Sequence, residues 1–309
     1  MDTNALFRVD GMVAVVTGGG TGIGLNMALG LASAGARKVY ILGRRKSVLE
    51  EAAKAHPSVH PVECDVGSKA SLLAAVDAVA KDSGGHVNLL VANSGVLGPT
   101  ARWDNPNSGT TLSEQRKRFL EGVDMDEFTH TFHVNVTAAY FTMIAFLDLL
   151  DAGNKSALSG DPDVFGAPIA NSKNAQAKAV PAIQSQVIFT SSISAYSRTS
   201  ASAPAYSGSK AAIAHLMKHA STNLAPYGIR VNALAPGLFP SELAQSLIAT
   251  RDPSTEAPSD PLFIPARRFG GEEEMAGTVL YLASRAGSFC NGLVLVNDGG
   301  KLSTIPSEY

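Results

Sequence analysis

The sequence predicts an α/β fold in which a seven-stranded parallel sheet carries helices on both of its faces. Three observations lead to this fold class. Short, continuous apolar runs alternate along the chain with longer segments of helical periodicity, which is typical of repeated βαβ units. The first apolar run leads directly into a glycine-rich turn. Several later runs end in polar residues, as parallel strands do beneath a ligand cleft.

The composition favours a single folded domain that covers residues 1–309. Hydrophobic residues make up 45% of the chain and charged residues 17%, which suits a large core. The net charge of −2 gives no reason to expect a nucleic acid or a membrane as partner. Cys64 and Cys290 stand far apart, so neither a disulfide framework nor a metal site is expected. Without a visible signal peptide or bilayer-spanning run, we expect a cytoplasmic protein.

The first predicted strand, residues 12–16, is apolar and β-branched and leads into the glycine-rich residues 17–24, which a helical pattern follows. Glycines let a backbone approach a pyrophosphate, and the first turn of a helix offers free N–H groups and a positive dipole end. A merely flexible glycine loop is the alternative, and the flanking strand and helix argue against it. The residues expected to bind a dinucleotide here are Gly18, Thr21, Gly22, Ile23 and Gly24.

The second predicted strand, residues 39–42, ends in Gly43, Arg44 and Arg45. Dinucleotide folds that bind NAD place an acidic residue here, where it holds the ribose 2′-hydroxyl. Two arginines stand in its place, and a guanidinium matches a phosphate with two parallel hydrogen bonds. The sequence therefore favours NADP(H) over NAD. The alternative is that both arginines merely face solvent.

The alternation of strands and helices continues along the rest of the chain. Strands are predicted at 59–66, 87–92, 186–190, 229–235 and 293–296, and helices at 47–55, 71–81, 128–150 and 272–283. Ligands of such sheets lie beyond the carboxyl ends of the strands. The residues at those ends that we expect at the cofactor are Asp65, Val66, Asn93 and Gly95.

Three polar segments interrupt this alternation. Residues 96–121 are predicted to form an extended loop followed by the start of a charged helix. Residues 151–182 are interpreted as an insertion between a helix and a strand, on the side of the sheet opposite the ligand. We therefore expect this insertion to shape the surface or the assembly and not to touch substrate. Residues 238–268 follow a strand's carboxyl end and are predicted to form a substrate lid, with a short helix at 241–248.

Tyr206 and Lys210 stand four residues apart in a predicted helix that opens near Pro204, so their side chains share one helical face. A free phenol titrates near pH ~10, and an ammonium ~4 Å away interacts with a unit charge by ~4 kcal/mol at an effective dielectric of ~20. We therefore expect Lys210 to lower the pKa of Tyr206 by about two or three units. An exposed Tyr–Lys surface pair is the alternative that this motif alone leaves open.

Taken together, these motifs resemble the short-chain dehydrogenase/reductase family, and this resemblance implies a Rossmann-like fold. The motifs occur in the family's order: Thr17-Gly-x-x-x-Gly-Ile-Gly24, Asn93-Ser-Gly95, Asn135, Ser192, Tyr206-x-x-x-Lys210, Pro236-Gly237, and Arg268-Phe-Gly270 with Asp298-Gly-Gly300. The likeness covers nearly the whole chain apart from the polar insertions. Asn-Ser-Gly replaces the more common Asn-Ala-Gly, a small change.

The resemblance implies a role for each catalytic candidate. Tyr206 would be the general acid/base, and Lys210 would lower its pKa and hold the nicotinamide ribose. Ser192 would hydrogen-bond the substrate carbonyl, with Ser191 as the second choice. Asn135 would anchor a water beside Lys210 for proton relay. Further cofactor contacts would come from Pro236, Gly237, Phe239 and Ser241, the last two at positions where the family often has other residues.

The sequence thus predicts an NADP(H)-dependent oxidoreductase that interconverts a carbonyl and a secondary alcohol, as a ketoreductase does. One alternative is a catalytically silent NADP-binding sensor or scaffold, and another is an enzyme that isomerises or dehydrates without net redox. An apolar substrate body is suggested by residues of the lid and a nearby loop, namely Phe239, Leu243, Leu247, Leu262, Phe263, Ile264 and Trp103. The Pro-Gly-x-Phe-Pro-Ser run at 236–241 resembles that of some acyl- or polyketide-type ketoreductases. The family resemblance implies a homodimer or homotetramer, and the apolar faces of residues 128–150 and 211–224 fit that.

Overall fold

The structure is a computed structural model that describes residues 3–105, 107–159, 161, 164–168 and 180–308. Seven strands form one parallel sheet in the order β3-β2-β1-β4-β5-β6-β7. The strands are β1 (Val13–Thr17), β2 (Lys38–Gly43), β3 (Val59–Glu63), β4 (Leu89–Ala92), β5 (Gln186–Thr190), β6 (Arg230–Pro236) and β7 (Val294–Asn297). The predicted fold class, a doubly wound Rossmann-like sheet, is confirmed.

Ten α-helices are found in the part of the chain that the structure describes. They are α1 (Thr3–Leu6), α2 (Gly22–Ser33), α3 (Lys46–Ala53), α4 (Lys69–Ser83), α5 (Leu112–Gly122), α6 (Met125–Phe132), α7 (Ala139–Ala157), α8 (Pro204–Leu224), α9 (Gln245–Ile248) and α10 (Glu272–Ala283). A six-residue π-helical turn, His133–Ala138, joins α6 to α7. A short helix was predicted in the lid at 241–248, and only the second half of that range is α-helical, as α9.

Alternate residues of β1 pack into two different cores, because successive side chains of a strand point to opposite faces of the sheet. Val15 belongs to the core that contains Phe146 of α7. Val16 belongs to the core that contains Met27 of α2 and Met275 of α10. The strand order reverses direction between β1 and β4, and in open α/β sheets a crevice forms at such a point.

Strands β3 and β7 are the two edges of the sheet. The amide of Cys64 donates to the Gly43 carbonyl at 2.8 Å, and the Ser58 carbonyl accepts from Val39 at 2.8 Å. Even-numbered residues of β3 therefore face β2, and Pro61 faces outward from the sheet. Proline has no N–H to donate, which suits an edge.

The insertion predicted at 151–182 begins later than its predicted boundary, because α7 continues to Ala157. Asn154 lies in this last part of α7 and is buried. Its Nδ2 donates to the Gly228 carbonyl at 2.9 Å, and its Oδ1 accepts from the Ser185 amide at 2.8 Å. Residues 160, 162–163 and 169–179 lie outside the described part. Phe165, which belongs to the described part of the insertion, is buried against the core. The role predicted for the insertion at the surface or in assembly stays a prediction.

The helical stretch Met125–Ala157 is 33 residues long and apolar enough to cross a membrane by length and composition, a test that core helices also pass. Its side chains Met143, Phe146 and Leu150 are buried against the sheet. Phe146 is fully buried, with 0% of its surface exposed. This packing identifies the stretch as a core helix of the α/β fold.

Replacing Asn154 by alanine is expected to destabilise the fold. The substitution leaves the Ser185 amide and the Gly228 carbonyl without their partner, and each such buried group costs about 1–3 kcal/mol. Urea unfolding should therefore give a free energy of unfolding lower by about 2–4 kcal/mol. Asn223→Ala is the control, because Asn223 is exposed and bonds only within α8. Equal free energies of unfolding for Asn154→Ala and Asn223→Ala would contradict a stabilising role of the two Asn154 hydrogen bonds.

Candidate active site

A single cleft of about 1140 Å³ opens above the carboxyl ends of the central strands. It is lined by every site residue that the sequence predicted except Asn135: Gly18, Thr21, Gly22, Ile23, Gly24, Arg44, Arg45, Asp65, Val66, Asn93, Gly95, Ser191, Ser192, Tyr206, Lys210, Pro236, Gly237, Phe239 and Ser241. None of its lining residues comes from the described part of 151–182.

The glycine turn after β1 forms a narrow cradle of backbone. Gly18 and Gly22 have φ values of +64° and +55°, a region that side-chain-bearing residues rarely adopt. A Cβ on Gly24 would clash with the Gly18 carbonyl and lie 2.5 Å from Asn93 Nδ2. The turn therefore admits only glycine at these points, and it leads into the N-terminus of α2. This arrangement fits the pyrophosphate of a dinucleotide.

Hydrogen bonds between Asn93 and Thr17 join the end of β4 to the glycine turn. Asn93 Nδ2 donates to the Thr17 carbonyl at 3.0 Å, while Thr17 Oγ1 accepts from the amides of Asn93 and Ser94 at 2.9 and 3.0 Å. Asn93 Oδ1 is buried and has no hydrogen-bond partner among the residues that the structure describes. An unpaired buried oxygen beside the cradle is a free acceptor for a bound ligand.

The two arginines after β2 differ in what they contact. Arg45 donates to Glu242 of the lid at 2.7 Å, and both side chains are more than half exposed. Arg44 is exposed and makes no hydrogen bond or ion pair with any residue that the structure describes. A guanidinium without a partner is available for a phosphate, so Arg44 is the better placed of the two.

The end of β3 contributes a short polar turn to the same cleft. Asp65 Oδ1 accepts from the Gly67 amide at 2.9 Å, and the Asp65 amide donates to Ser71 Oγ at 2.9 Å. Val66, between them, is buried with 9% of its surface exposed. These bonds fix the turn that borders the arginines of β2.

Lys210 is buried at the end of β5. Only 4% of its surface is exposed, and its Nζ donates to the Thr190 carbonyl at 2.8 Å. Burial lowers the pKa of Lys210 to about 8. The ammonium lies 5.6 Å from the centroid of the Tyr206 ring, so the pair shares one face of α8 as predicted.

The structure contradicts the expected lowering of the Tyr206 pKa. Burial raises the pKa of Tyr206 above its ordinary value, and a hydrogen bond with Ser192 lowers it by less. Removing a phenolate from water disfavours the charged form. In this structure that penalty outweighs the favourable influence of the neighbouring groups. The sequence spacing showed the proximity of Lys210 but not the depth of the pocket.

Ser191 and Ser192 occupy different surroundings. Ser191 Oγ donates to the Lys210 carbonyl at 2.8 Å and is committed to the backbone of α8. Ser192 Oγ accepts from the Ser194 amide at 3.1 Å and shares a hydrogen bond with the side chain of Tyr206. Ser192 therefore has the hydroxyl that stands beside the phenol.

Asn135 lies behind the cleft, in the π-helical turn. Its Oδ1 accepts from the Val96 amide at 2.8 Å, and its Nδ2 donates to the Val96 carbonyl at 2.9 Å and to Ser209 Oγ at 3.0 Å. A Cβ on Gly95 would lie 3.1 Å from this Oδ1 and 3.4 Å from Lys210 Nζ. The side chain of Asn135 thus holds the chain after β4 close to Lys210.

Several apolar candidates do not face the cleft. Trp103 packs against Phe119 with tilted rings whose centroids are 4.6 Å apart, and it is not among the lining residues. Phe263 lies under Arg267, and Ile264 is buried in the lid. Phe239 lines the cleft, yet only 4% of its surface is exposed because it packs into the core beneath the lid. Leu243, Leu247 and Leu262 are the predicted lid residues that remain at the cleft.

The cleft also contains residues that sequence reasoning missed. Among them are Arg102, Ser197, Thr199, Ser202 and Arg251. They come from loops whose path depends on tertiary packing, so no local sequence pattern predicts that they line the cleft.

Comparison with known proteins agrees with this fold and cleft. The profile described as short chain dehydrogenase matches residues 12–158, and that described as Enoyl-(Acyl carrier protein) reductase matches residues 166–301. Over 284 residues the chain is 61% identical to the short-chain dehydrogenase/reductase SAT3 of Stachybotrys chartarum, which covers 92% of this chain and 100% of that protein. It is 44% identical to PhomF of Diaporthe leptostromiformis, over 98% and 96% of the two chains.

Among solved structures, the RhlG/NADP active-site complex of Pseudomonas aeruginosa matches with a TM-score of 0.70 at 28% identity, over 96% of this chain and 98% of that one. The fold and the cleft define an oxidoreductase of the dinucleotide-binding class. The chain belongs to the short-chain dehydrogenase/reductase family.

Replacing Lys210 by methionine is expected to remove a pH dependence from the stability of the fold. The pKa of Lys210 falls from 10.5 to about 8 on burial, so the folded state bears the full cost of the charge below about pH 8. This cost disappears as the pH rises from about 8 to 10.5. The free energy of unfolding of the wild type should therefore rise by about 1–3 kcal/mol across this window, and that of the variant, which also lacks the hydrogen bond to the Thr190 carbonyl, should not.

Denaturant unfolding at a series of pH values measures this effect. Lys218→Met is the matched control, because Lys218 is exposed on the same helix. A stability difference between Lys210→Met and wild type that does not change with pH would contradict a buried charge at this position.

Proposed function

We propose that this protein is an NADP(H)-dependent reductase of ketones, and that its catalytic groups are Tyr206, Lys210 and Ser192. The observation that supports the proposal most directly is the placement of the Tyr206 phenol. It lies against Ser192 and above Lys210 in the wall of the cleft that the glycine turn also lines. A dinucleotide seated on that turn would share the cleft with the phenol.

The residues of the cleft fit a dinucleotide carrying a 2′-phosphate. The glycine turn offers a cradle without side chains, and Asn93 Oδ1 is a free acceptor beside it. Arg44 is an unpaired cation at the end of β2, where NAD-binding folds place an acid. The solved RhlG complex contains NADP, which agrees with this choice.

The chain's own groups would perform the proton chemistry. The nicotinamide cofactor, when bound, supplies or accepts the hydride. Tyr206 would donate its hydroxyl proton to the substrate oxygen, and Ser192 would hydrogen-bond the same oxygen as negative charge develops. The Lys210 ammonium lies close enough to stabilise the phenolate that remains. Asn135 is a positioning residue that holds Val96 and Gly95 beside Lys210, and it would anchor the relay water.

The charge state of Tyr206 favours the reductive direction at neutral pH. Because burial raises its pKa, the phenol keeps its proton there and is ready to act as an acid. The pKa of Lys210, about 8, keeps most of the ammonium charged at neutral pH. Alcohol oxidation needs the phenolate and would require higher pH.

The lid and the surface of α7 support proposals for the substrate and the assembly. Leu243, Leu247 and Leu262 of the lid line the cleft and support an apolar body on the ketone. The match to an Enoyl-(Acyl carrier protein) reductase profile agrees with an acyl- or polyketide-type chain. Exposed Phe141 and Ile144 on α7 support the proposal of a homodimer or homotetramer. We propose a cytoplasmic location.

Removing the phenolic hydroxyl tests the mechanism. Tyr206→Phe should lower kcat for ketone reduction by about 10²–10⁴-fold, because the general acid is lost. The Kd for NADPH should stay within about threefold, because the ring remains in place. Ketone reduction is followed by NADPH absorbance, and binding by NADPH fluorescence.

Tyr227→Phe is the matched control, since Tyr227 is 68% exposed and lies outside the cleft. Turnover near wild-type level in Tyr206→Phe would refute the mechanism. NADPH binding without turnover of any ketone by the wild type would favour a sensor or scaffold. Turnover without net NADPH consumption would favour isomerisation or dehydration.

Removing the unpaired guanidinium tests cofactor choice. Arg44→Ala should raise the KM for NADPH by about 10- to 100-fold, the value of a lost charge-assisted hydrogen-bond pair. The KM for NADH should change by less than about twofold, because NADH has no 2′-phosphate. Lys46→Ala removes a nearby exposed charge outside the cleft and is the control for general electrostatics. Equal increases for both cofactors would refute the assignment.

A further inference from the structure

The side chain of Arg102 is a second unpaired cation in the cleft. It lines the cleft from the loop that follows β4, and its Nε is buried without a hydrogen-bond partner. Its guanidinium makes no ion pair with any of the residues that the structure describes. A buried donor without a partner costs free energy, and this cost is relieved when a ligand supplies the acceptor.

The loop that carries Arg102 is held in place by contacts that leave this guanidinium free. Arg118 of α5 donates to the Arg102 carbonyl at 3.2 Å and makes two hydrogen bonds to Asp104, at 2.6 and 2.7 Å. Thr110 also donates to Asp104, at 2.7 Å. The acid nearest to Arg102 in sequence is therefore committed to Arg118, and the loop presents Arg102 from a fixed backbone.

The other guanidiniums of the cleft help to define what Arg102 does. Arg45 pairs with Glu242, and Arg251 pairs with Glu256 at 2.7 Å and donates to the Leu262 carbonyl. Among the described lining arginines, only Arg44 and Arg102 keep an unpaired guanidinium. Arg44 follows β2 and Arg102 follows β4, and these strands lie on opposite sides of β1. The two free guanidiniums thus come from loops that leave the sheet on opposite sides of β1.

The lining of the cleft contains two acidic side chains among the described residues, and neither belongs to the loop that carries Arg102. The acidic residues among the described lining side chains are Asp65, which follows β3, and Glu242, which pairs with Arg45. Ser197, Thr199 and Ser202, between β5 and α8, form a cluster of hydroxyls that are 2.8–3.3 Å apart. A negative group at Arg102 would therefore meet no lining carboxylate from the same loop, and the hydroxyl cluster offers further donors within the same cleft.

We propose that Arg102 binds an anionic oxygen group of the substrate, so that the enzyme's natural ketone carries a carboxylate or a phosphate away from its reacting carbonyl. Guanidinium recognises both groups through two parallel hydrogen bonds, and the pairing is stronger where solvent is excluded. The inference rests on the proposed ketone reduction and adds the substrate class to it. A free oxo acid and an acyl chain on phosphopantetheine are the two sources of such a group.

The test compares charged and neutral forms of the same ketones. Straight-chain oxo acids are paired with their methyl esters, and 3-oxoacyl thioesters of pantetheine are compared with and without the 4′-phosphate. The proteins are wild type, Arg102→Gln, Arg102→Lys and the control Arg116→Gln, which removes an exposed charge of α5 outside the cleft. The values measured are kcat/KM and, in a Tyr206→Phe background, the Kd of each ligand with NADPH bound.

The wild type is expected to prefer one charged form over its neutral partner by about tenfold or more, and the carboxylate and phosphate arms tell the two sources apart. Arg102→Gln should lose about 10- to 100-fold on that charged form and less than about twofold on the neutral one. Arg102→Lys should recover part of the loss, and Arg116→Gln should behave as wild type.

Three results would overturn the inference. They are a wild type that prefers neither charged form, an equal loss on charged and neutral ligands in Arg102→Gln, or a raised Kd for NADPH in that variant. The binding measurements separate this inference from the proposed function. If a charged ligand binds through Arg102 but no ketone is reduced, the anion site stands and ketone reduction fails. If neutral ketones are reduced and the charge of the ligand has no effect, ketone reduction stands and the anion site fails.

Discussion

A buried ammonium at the end of β5 organises the candidate active site. Lys210 Nζ donates to the Thr190 carbonyl, and Ser191 Oγ donates to the Lys210 carbonyl. The side chain and the backbone of Lys210 therefore both hold α8 at the end of β5. Tyr206 lies one turn before Lys210 and is thereby brought against Ser192. The same burial that disfavours the charge of Lys210 keeps the proton on Tyr206.

The hydroxyl of Thr17 plays a comparable part on the other side of the cleft. It accepts from two successive amides after β4 and so joins the glycine turn to the loop beyond. That loop continues through Gly95 and Val96, which Asn135 holds from behind. The cleft is thus bordered by backbone whose hydrogen bonds are made within the protein. Among the described lining guanidiniums, those of Arg44 and Arg102 have no ion-pair partner.

Much of the fold could be read from the sequence because its signals are local. The apolar runs of the seven strands, the turn that requires Gly18 and Gly22, and the Tyr206–Lys210 spacing depend only on neighbours along the chain. The start of a charged helix was predicted within residues 96–121, and the structure shows that a capping box of Thr111 and Glu114 begins α5 there.

The remaining features depend on contacts between distant segments. Whether Tyr206 becomes more or less acidic is decided by how deeply α8 is buried, which spacing does not encode. The end of α7 is extended by Asn154, whose partners lie far along the chain at Ser185 and Gly228. Trp103 turns to Phe119 instead of the cleft, and Arg102 takes the lining position, since α5 folds back on this loop.

The outward-facing proline of β3 has a consequence for the molecule in a crowded solution. A foreign strand that approached this edge would meet Pro61 in the middle of a five-residue strand, with no amide hydrogen to offer. Pairing would break off there, and the opposite edge, β7, provides only four residues. The sheet is therefore a poor template for amyloid-like growth on either flank.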